Sequence, residues 1–352
     1  MSQTITIQQA INAVIERRDL SGVEMQSVMQ QIMTGAATPA QIAGFLVALR
    51  MKGETVVEIA AATRVMRELA TPVQVVADNM VDIVGTGGDG ASLLNVSTAS
   101  ALVAAVAGCH VAKHGNRSVS SSSGSADLLE AAGVDLSLSP AQVARCIEQV
   151  GVGFMFAVQH HSAMKHAVGP RKELATRTIF NMLGPMTNPA GVKNQVLGVY
   201  SLDLLRPIAE VLQSLGSHHV MVVHSADGLD EISIAGVTHV AELRDGEITE
   251  YDLVPTEVGI NVGDLKQLVV DDAQASLKLI RAALSAGEKT ASAHAAGDII
   301  ALNAGAAIYV AGVADDLSQG VAIAQDIIAS GRAGEKLKEL ASVSVAMASA
   351  GE

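Results

Sequence analysis

Val81-Asp82-Ile83-Val84-Gly85-Thr86-Gly87-Gly88-Asp89-Gly90 runs from a short apolar strand into a glycine turn, and an alanine-rich helical stretch follows it. Glycine is the residue that lets backbone N–H groups approach phosphate oxygens with no side chain between, and the next helix adds positive potential at its N-terminus. A phosphate cradle is therefore the expectation. Gly85, Gly87 and Gly90 satisfy G-x-G-x-x-G, but a dinucleotide fold also wants an acidic residue about 20 positions on for the ribose. No Asp or Glu occurs between Asp89 and Asp127. A Walker loop fails as well, because Ala91 stands where its lysine belongs. Outward from this turn, apolar runs at 109–113, 152–157, 195–200 and 219–224 read as further strands separated by helix-length segments. That alternation predicts a mostly parallel sheet covered by helices, with strand carboxyl ends sharing one edge.

A helical front precedes the sheet. Ile7, Ile11, Val14 and Ile15 have helical spacing, Ser21 with Glu24 and Thr38 with Gln41 read as capping boxes, and another helix is expected over 54–70. Thr71-Pro72 stops it, and composition then turns Val- and Gly-rich, so a small helical domain is expected over 1–72 and an α/β domain over 73–352. Ser139-Pro140 with Gln142 should open a helix that Gly151 ends, Gly133 should end one beginning near Ser125, and the last 85 or so residues read as wholly helical.

Composition narrows the function. The 352 residues carry 23 Lys plus Arg against 36 Asp plus Glu, a net charge of −13, which argues against a nucleic-acid or acidic-membrane binder. Aromatic residues are 2% of the chain, so a base-stacking surface is not expected and the core must be aliphatic. Cys109 and Cys146 show no C-x-x-C, and reduced, buried thiols are expected. Residues 90–112 lack charge and are long enough to span a bilayer, but Asn95, Ser97, Thr98 and Ser100 would lie in hydrocarbon with no flanking belt, so no membrane span is expected. The amino terminus lacks signal-peptide grammar, which predicts a cytoplasmic chain.

Two polar blocks add chemistry to the glycine turn. After the next strand comes Lys113-His114-Gly115-Asn116-Arg117-Ser118 and a serine run through Ser125 to Asp127. Alone, such a run would be a linker; between a strand and a helix it offers a point charge, a bidentate fork and hydroxyl donors to several phosphates. Asp230-Glu231, beyond another strand end, supplies carboxylate oxygens that suit Mg2+.

Taken together, GTGGDG, NVSTAS, KHGNRSVSSSSGSAD, RKELATRTIFNMLGPMTNPAG and DGLDEIS resemble the anthranilate phosphoribosyltransferase family, and a NAGAAIYVAG segment extends the likeness toward the carboxyl end. The resemblance implies a hinged helical domain, joined in space by about 165–190, a homodimer, Mg2+, and transfer of phosphoribose from phosphoribosyl pyrophosphate to anthranilate. It implies phosphoribosyl pyrophosphate contacts at Gly85, Gly88, Asp89, Asn95, Val96, Ser97, Thr98, Lys113, Gly115, Asn116, Arg117, Ser118, Ser120, Ser121 and Ser125. Gly85, Asn116, His114, His161, Arg171 and Pro185 would meet anthranilate, Ser97, Asp230 and Glu231 the metal, and Lys113 and His114 would serve catalysis. Leu93 and Ser122 depart from the pattern, where many relatives carry a hydroxyl and a lysine, and Ser162 stands where a proline is common. A nucleoside phosphorylase is the rival enzyme reading, disfavoured by Arg171 and Asn116; a non-catalytic nucleic-acid-binding relative is disfavoured by the charge and by Asp230-Glu231.

Overall fold

Four capped helices open the chain in this computed structural model, which describes residues 4–118 and 122–350. They are α1 (Ile7–Ile15), α2 (Gly22–Met33), α3 (Pro39–Lys52) and α4 (Val56–Leu69). Each begins on a Ser or Thr whose hydroxyl accepts from the third helical N–H while a Gln or Glu there reaches back, so the two boxes read from sequence recur at Thr6 and Thr55. The fully buried Glu58 accepts from Leu20 N–H and pairs with Lys52 at 2.9 Å, tying α4 to the turn after α1.

The rest alternates as expected: β1 (Met80–Gly85), α5 (Val96–Val106), β2 (His110–Gly115), α6 (Ser125–Ala131), α7 (Pro140–Val150) and β3 (Val152–Phe156). Three short or medium helices, α8 (Ala157–His160), α9 (Lys165–Leu174) and α10 (Phe180–Leu183), lead to β4 (Asn194–Gly198), α11 (Leu205–Ser214) and β5 (His219–Ser225). The sheet order is β3-β2-β1-β4-β5-β6-β7, parallel through β5. An antiparallel hairpin, β6 (Thr238–Arg244) and β7 (Glu247–Leu253), completes it and was not among the expected strands. Its turn is Asp245-Gly246, both at positive φ (52° and 81°), the geometry that matches hairpin twist. Then come α12 (Ala273–Ala283), α13 (Ala291–Val310), α14 (Leu317–Ser330) and α15 (Arg332–Ala350), the helical tail read from the sequence.

Side chains alternate across the sheet. Val81, Ile83, Val111, Val196 and Met221 meet α5 and α13, while Val84, Leu197, Val220 and Val222 join α11 and the helical bundle in one continuous apolar cluster. Ala167, Ile179, Phe180 and Leu183 of the 165–190 region belong to that second cluster. With few aromatics, close packing comes from small residues: a Cβ on Gly320 would stand 2.3 Å from the Gly305 carbonyl oxygen where α14 crosses α13. Helix α13 is apolar enough and long enough to cross a membrane, but nearly all of it is buried inside the protein. The uncharged stretch 90–112 breaks into a loop, α5 and the start of β2. Cys109 and Cys146 are free and buried.

Candidate active site

Between β1 and β4 the strand order reverses, and crevices at such points collect ligands in open α/β sheets. Gly85 and Gly198, the last residues of these neighbouring strands, are register partners. The Asp230 segment lies directly across them: a Cβ on Gly85 would come within 2.2 Å of Asp230 Oδ2, and one on Gly198 within 1.6 Å of the Asp230 carbonyl oxygen. Gly85 is thus demanded by the carboxylate loop leaning on it, as well as by any phosphate. Gly87, Gly88 and Gly90 all have positive φ (67°, 83° and 74°), a backbone other residues adopt only with strain.

The two carboxylates dock on the sequence-expected turn and helix. Gly87 N–H donates to Asp230 Oδ2 at 2.6 Å and Ser97 N–H to Glu231 Oε1 at 3.2 Å, at the first turn of α5. Burial, then the Asp89 charge, pushes the Asp230 carboxyl up to about 6; burial, then Asp230, pushes Glu231 up to about 8. Asn303 of α13, fully buried, holds the next residue by accepting from Ile232 N–H and donating to its carbonyl, both at 2.9 Å. Asn303 opens the NAGAAIYVAG segment, and nothing around it in the sequence marks it as a support of the carboxylates.

Beneath the carboxylates lies Lys113, 2% exposed, its Nζ donating to the Ile83 carbonyl at 2.6 Å. Burial lowers its pKa, against the raising pull of Asp82, Glu231 and Asp230. Its ammonium is turned into β1. Asp82, unassigned from sequence, is fully buried, pushed up to about 6 by burial, and accepts from Asn188 Nδ2 at 2.8 Å and from His114 N–H at 3.3 Å. A lone acidic residue inside an apolar strand was the available signal.

The basic-hydroxyl loop departs from expectation at Arg117. Its guanidinium grips Glu130 through two bonds of 2.7 and 3.0 Å and Asp127 at 3.0 Å, so the fork expected for phosphates is closed on α6. The reason is spacing: Asp127 and Glu130 are three apart and share a helix face. Asp127 also gathers Ser118 N–H and Gly124 N–H at 3.0 and 2.9 Å, shaping the loop around Gly115 and Ser125. Asn116 Oδ1 accepts from Arg117 N–H. Asn95, expected at phosphoribosyl pyrophosphate, has its amide engaged by Ser123 and Ser276, and Val96 is a core residue whose N–H donates to Leu94. Thr98 Oγ1 is buried with no protein partner. Ser120 and Ser121 lie outside the described residues. Leu93 forms a bridge with Val269.

On the bundle side, the His114 and His161 rings stand 5.1 Å apart, and the Nε2 atoms of both are buried without a protein partner. Burial holds both neutral, His114 well below its ordinary value and His161 at about 4. Pro185 is buried, its carbonyl accepting from Gln195 Nε2 at 2.7 Å. Arg171 on α9 lies over the Phe180 ring at 5.3 Å, and burial alone lowers its pKa. Among the described residues no acidic side chain pairs with it. Arg177, in the same sequence block but given no role, donates to the Gly88 carbonyl and lies 4.2 Å from the Tyr200 ring centroid. A surface cavity of about 640 Å³ lies at the far end of α5 and is lined by mutually paired charges of α15.

Comparison with known proteins matches residues 8–70 to the helical bundle domain of a glycosyl transferase family and residues 77–334 to its a/b domain. The chain is 64% identical over 336 residues to an anthranilate phosphoribosyltransferase of Teredinibacter turnerae, covering 96% of this chain and 98% of that one. It is 63% identical to the Saccharophagus degradans protein of the same name over the same shares. A Thermus thermophilus anthranilate phosphoribosyltransferase structure superposes with a TM-score of 0.89 at 45% identity, covering 96% and 99% of the two chains. The Saccharomyces cerevisiae structure in complex with PRPP and Mg superposes at 0.86 with 25% identity, covering 97% and 98%.

Proposed function

The chain belongs to the anthranilate phosphoribosyltransferases, and from that membership we propose how its residues divide the work. The reaction moves the phosphoribosyl group of 5-phosphoribosyl 1-pyrophosphate to the amino nitrogen of anthranilate, releasing pyrophosphate, in tryptophan biosynthesis.

The turn at Gly85, Gly87, Gly88 and Asp89 takes the pyrophosphate, with Ser97, Thr98, Gly115, Asn116, Ser118 and Ser125 around the sugar phosphate. The observation that carries this is Asp230-Glu231 laid across the ends of β1 and β4 and held by the N–H groups of Gly87 and Ser97. Carboxylates whose pKa values rise through burial and mutual repulsion suit a divalent cation. Mg2+ would be held by the Asp230 and Glu231 carboxylates with Ser97 beside them, a hard-oxygen set that suits it. When bound, Mg2+ neutralises charge developing on the leaving pyrophosphate.

The chain's own groups do the remainder. Loop N–H groups stabilise the departing phosphates, and Lys113 balances the carboxylates from below. Arg171 grips the anthranilate carboxylate, its unpaired guanidinium supplying a bidentate fork. Asn116, Pro185 and the neutral imidazoles of His114 and His161 orient the amine. With its basicity lowered by burial, His114 accepts that proton late, after nitrogen has bonded to the ribose carbon and become strongly acidic.

The same proposal takes 1–72, joined in space by 165–190, as one domain and 73–352 as the other; the break between family models at 70 and 77 supports it. It also takes the protein as cytoplasmic and as a homodimer, the latter supported by the exposed Ile15, Val47, Met51 and Val57 on the bundle. Loss of anthranilate fluorescence on adding phosphoribosyl pyrophosphate tests the reaction. Turnover should require a divalent metal and collapse in Asp230→Asn/Glu231→Gln; undiminished turnover of that variant in chelator would refute the metal role.

A further inference from the structure

Arg177, between α9 and α10, links three parts of the molecule. Its backbone carbonyl accepts from Arg50 Nη1 of α3 at 2.5 Å. Its guanidinium donates to the Gly88 carbonyl and lies 4.2 Å from the Tyr200 ring centroid. Tyr200 N–H in turn donates to Thr86 Oγ1 at 3.0 Å, inside the same glycine turn. A chain of contacts therefore runs from the bundle through one arginine to both sides of the turn.

We propose that Arg177 is a positioning residue that presets the glycine turn for the pyrophosphate of phosphoribosyl pyrophosphate. The role rests on the phosphoribosyltransferase reading above. A turn with three residues at positive φ has much backbone freedom, and donors that must be ordered on binding cost affinity. The peptide bond is planar and trans, so its carbonyl and N–H point to opposite sides. Holding the Gly88 carbonyl toward the bundle turns the Asp89 N–H away from it, as a donor to phosphate oxygen. Arginine suits the post because its flat guanidinium stacks on Tyr200 while its edge reaches the carbonyl; a lysine ammonium does not stack this way. The approach is close: a Cβ on Gly88 would lie 3.3 Å from Arg177 Nη2.

The full chain and its Arg177→Ala, Arg177→Lys, Tyr200→Leu and Arg177→Ala/Tyr200→Leu variants test this by kinetics with each substrate varied, thermal melting, and calorimetric binding of pyrophosphate with Mg2+. Arg177→Ala should raise the KM for phosphoribosyl pyrophosphate and the pyrophosphate Kd roughly fivefold to tenfold, the worth of one partly exposed charged hydrogen bond, with the anthranilate KM and the Tm unmoved. Arg177→Lys should recover part of the loss, and the double variant should be no worse than Arg177→Ala. A phosphoribosyl pyrophosphate KM and pyrophosphate Kd within twofold of the parent would overturn the proposal, as would equal losses for both substrates with a fallen Tm. Absence of anthranilate-dependent turnover in the parent would overturn the functional reading instead, while pyrophosphate binding still tests Arg177.

Discussion

At Arg171 one side chain has burial without a counter-charge, an arrangement that favours an incoming carboxylate. Arg171→Ala should raise the anthranilate KM by about 10- to 150-fold, the cost of a charge-assisted bidentate contact of roughly 1.5 to 3 kcal/mol, and leave the phosphoribosyl pyrophosphate KM near that of the parent. Kinetics with each substrate varied checks the split, and a larger defect for phosphoribosyl pyrophosphate would place Arg171 in the wrong pocket. His161 carries a pH consequence. Its folded pKa of about 4 lies below the ordinary 6.5, so the folded protein resists the protonation that the unfolded chain accepts. Its contribution to stability is fully present above pH 6.5 and is lost as pH falls toward 4. His161→Asn should flatten the fall of Tm between these values; an unchanged slope would show that other groups govern it. The family resemblance names both residues from sequence, whereas the pairing of Arg117 with Asp127 and Glu130 is visible only once α6 forms beside it.

Between elements, the decisive contact is the Asp230 segment on the ends of β1 and β4. Gly198→Ala places a Cβ 1.6 Å from the Asp230 carbonyl oxygen, so the carboxylate loop must lift while the strand interior stays intact. An ångström-scale misplacement of reacting groups costs on the order of a hundredfold in rate, so kcat/KM should fall by about that factor and half-saturation should need more Mg2+. A magnesium titration at saturating substrates decides; an unaltered requirement would mean that the loop does not place the metal. Nothing in the local sequence marks Gly198 as special, since its neighbour Asp230 lies far along the chain. The β6–β7 hairpin differs: Asp245-Gly246 between alternating residues is a local hairpin signal in the sequence itself.

For the whole molecule, the bundle and one sheet face share a continuous apolar cluster through α4 and α11, while Arg177 touches the glycine turn at the other end of that junction. Closure is thus expected as a small pivot rather than a separation of two bodies, bringing Arg171 toward the phosphates. Solution scattering of the protein alone and with both substrates should show a modest contraction, and superimposable curves would rule closure out. The sequence by itself determined the helical front, the parallel sheet, the glycine turn and the carboxylate pair, because caps, periodicity and glycine act within a few residues. Only the tertiary structure decided that Lys113 turns under β1, that Arg117 closes on α6, and that Asp82, Asn188, Asn303 and Arg177 support the site. Those outcomes depend on which distant chain segment occupies the neighbouring space, and burial and pairing there set each charge's direction and partner.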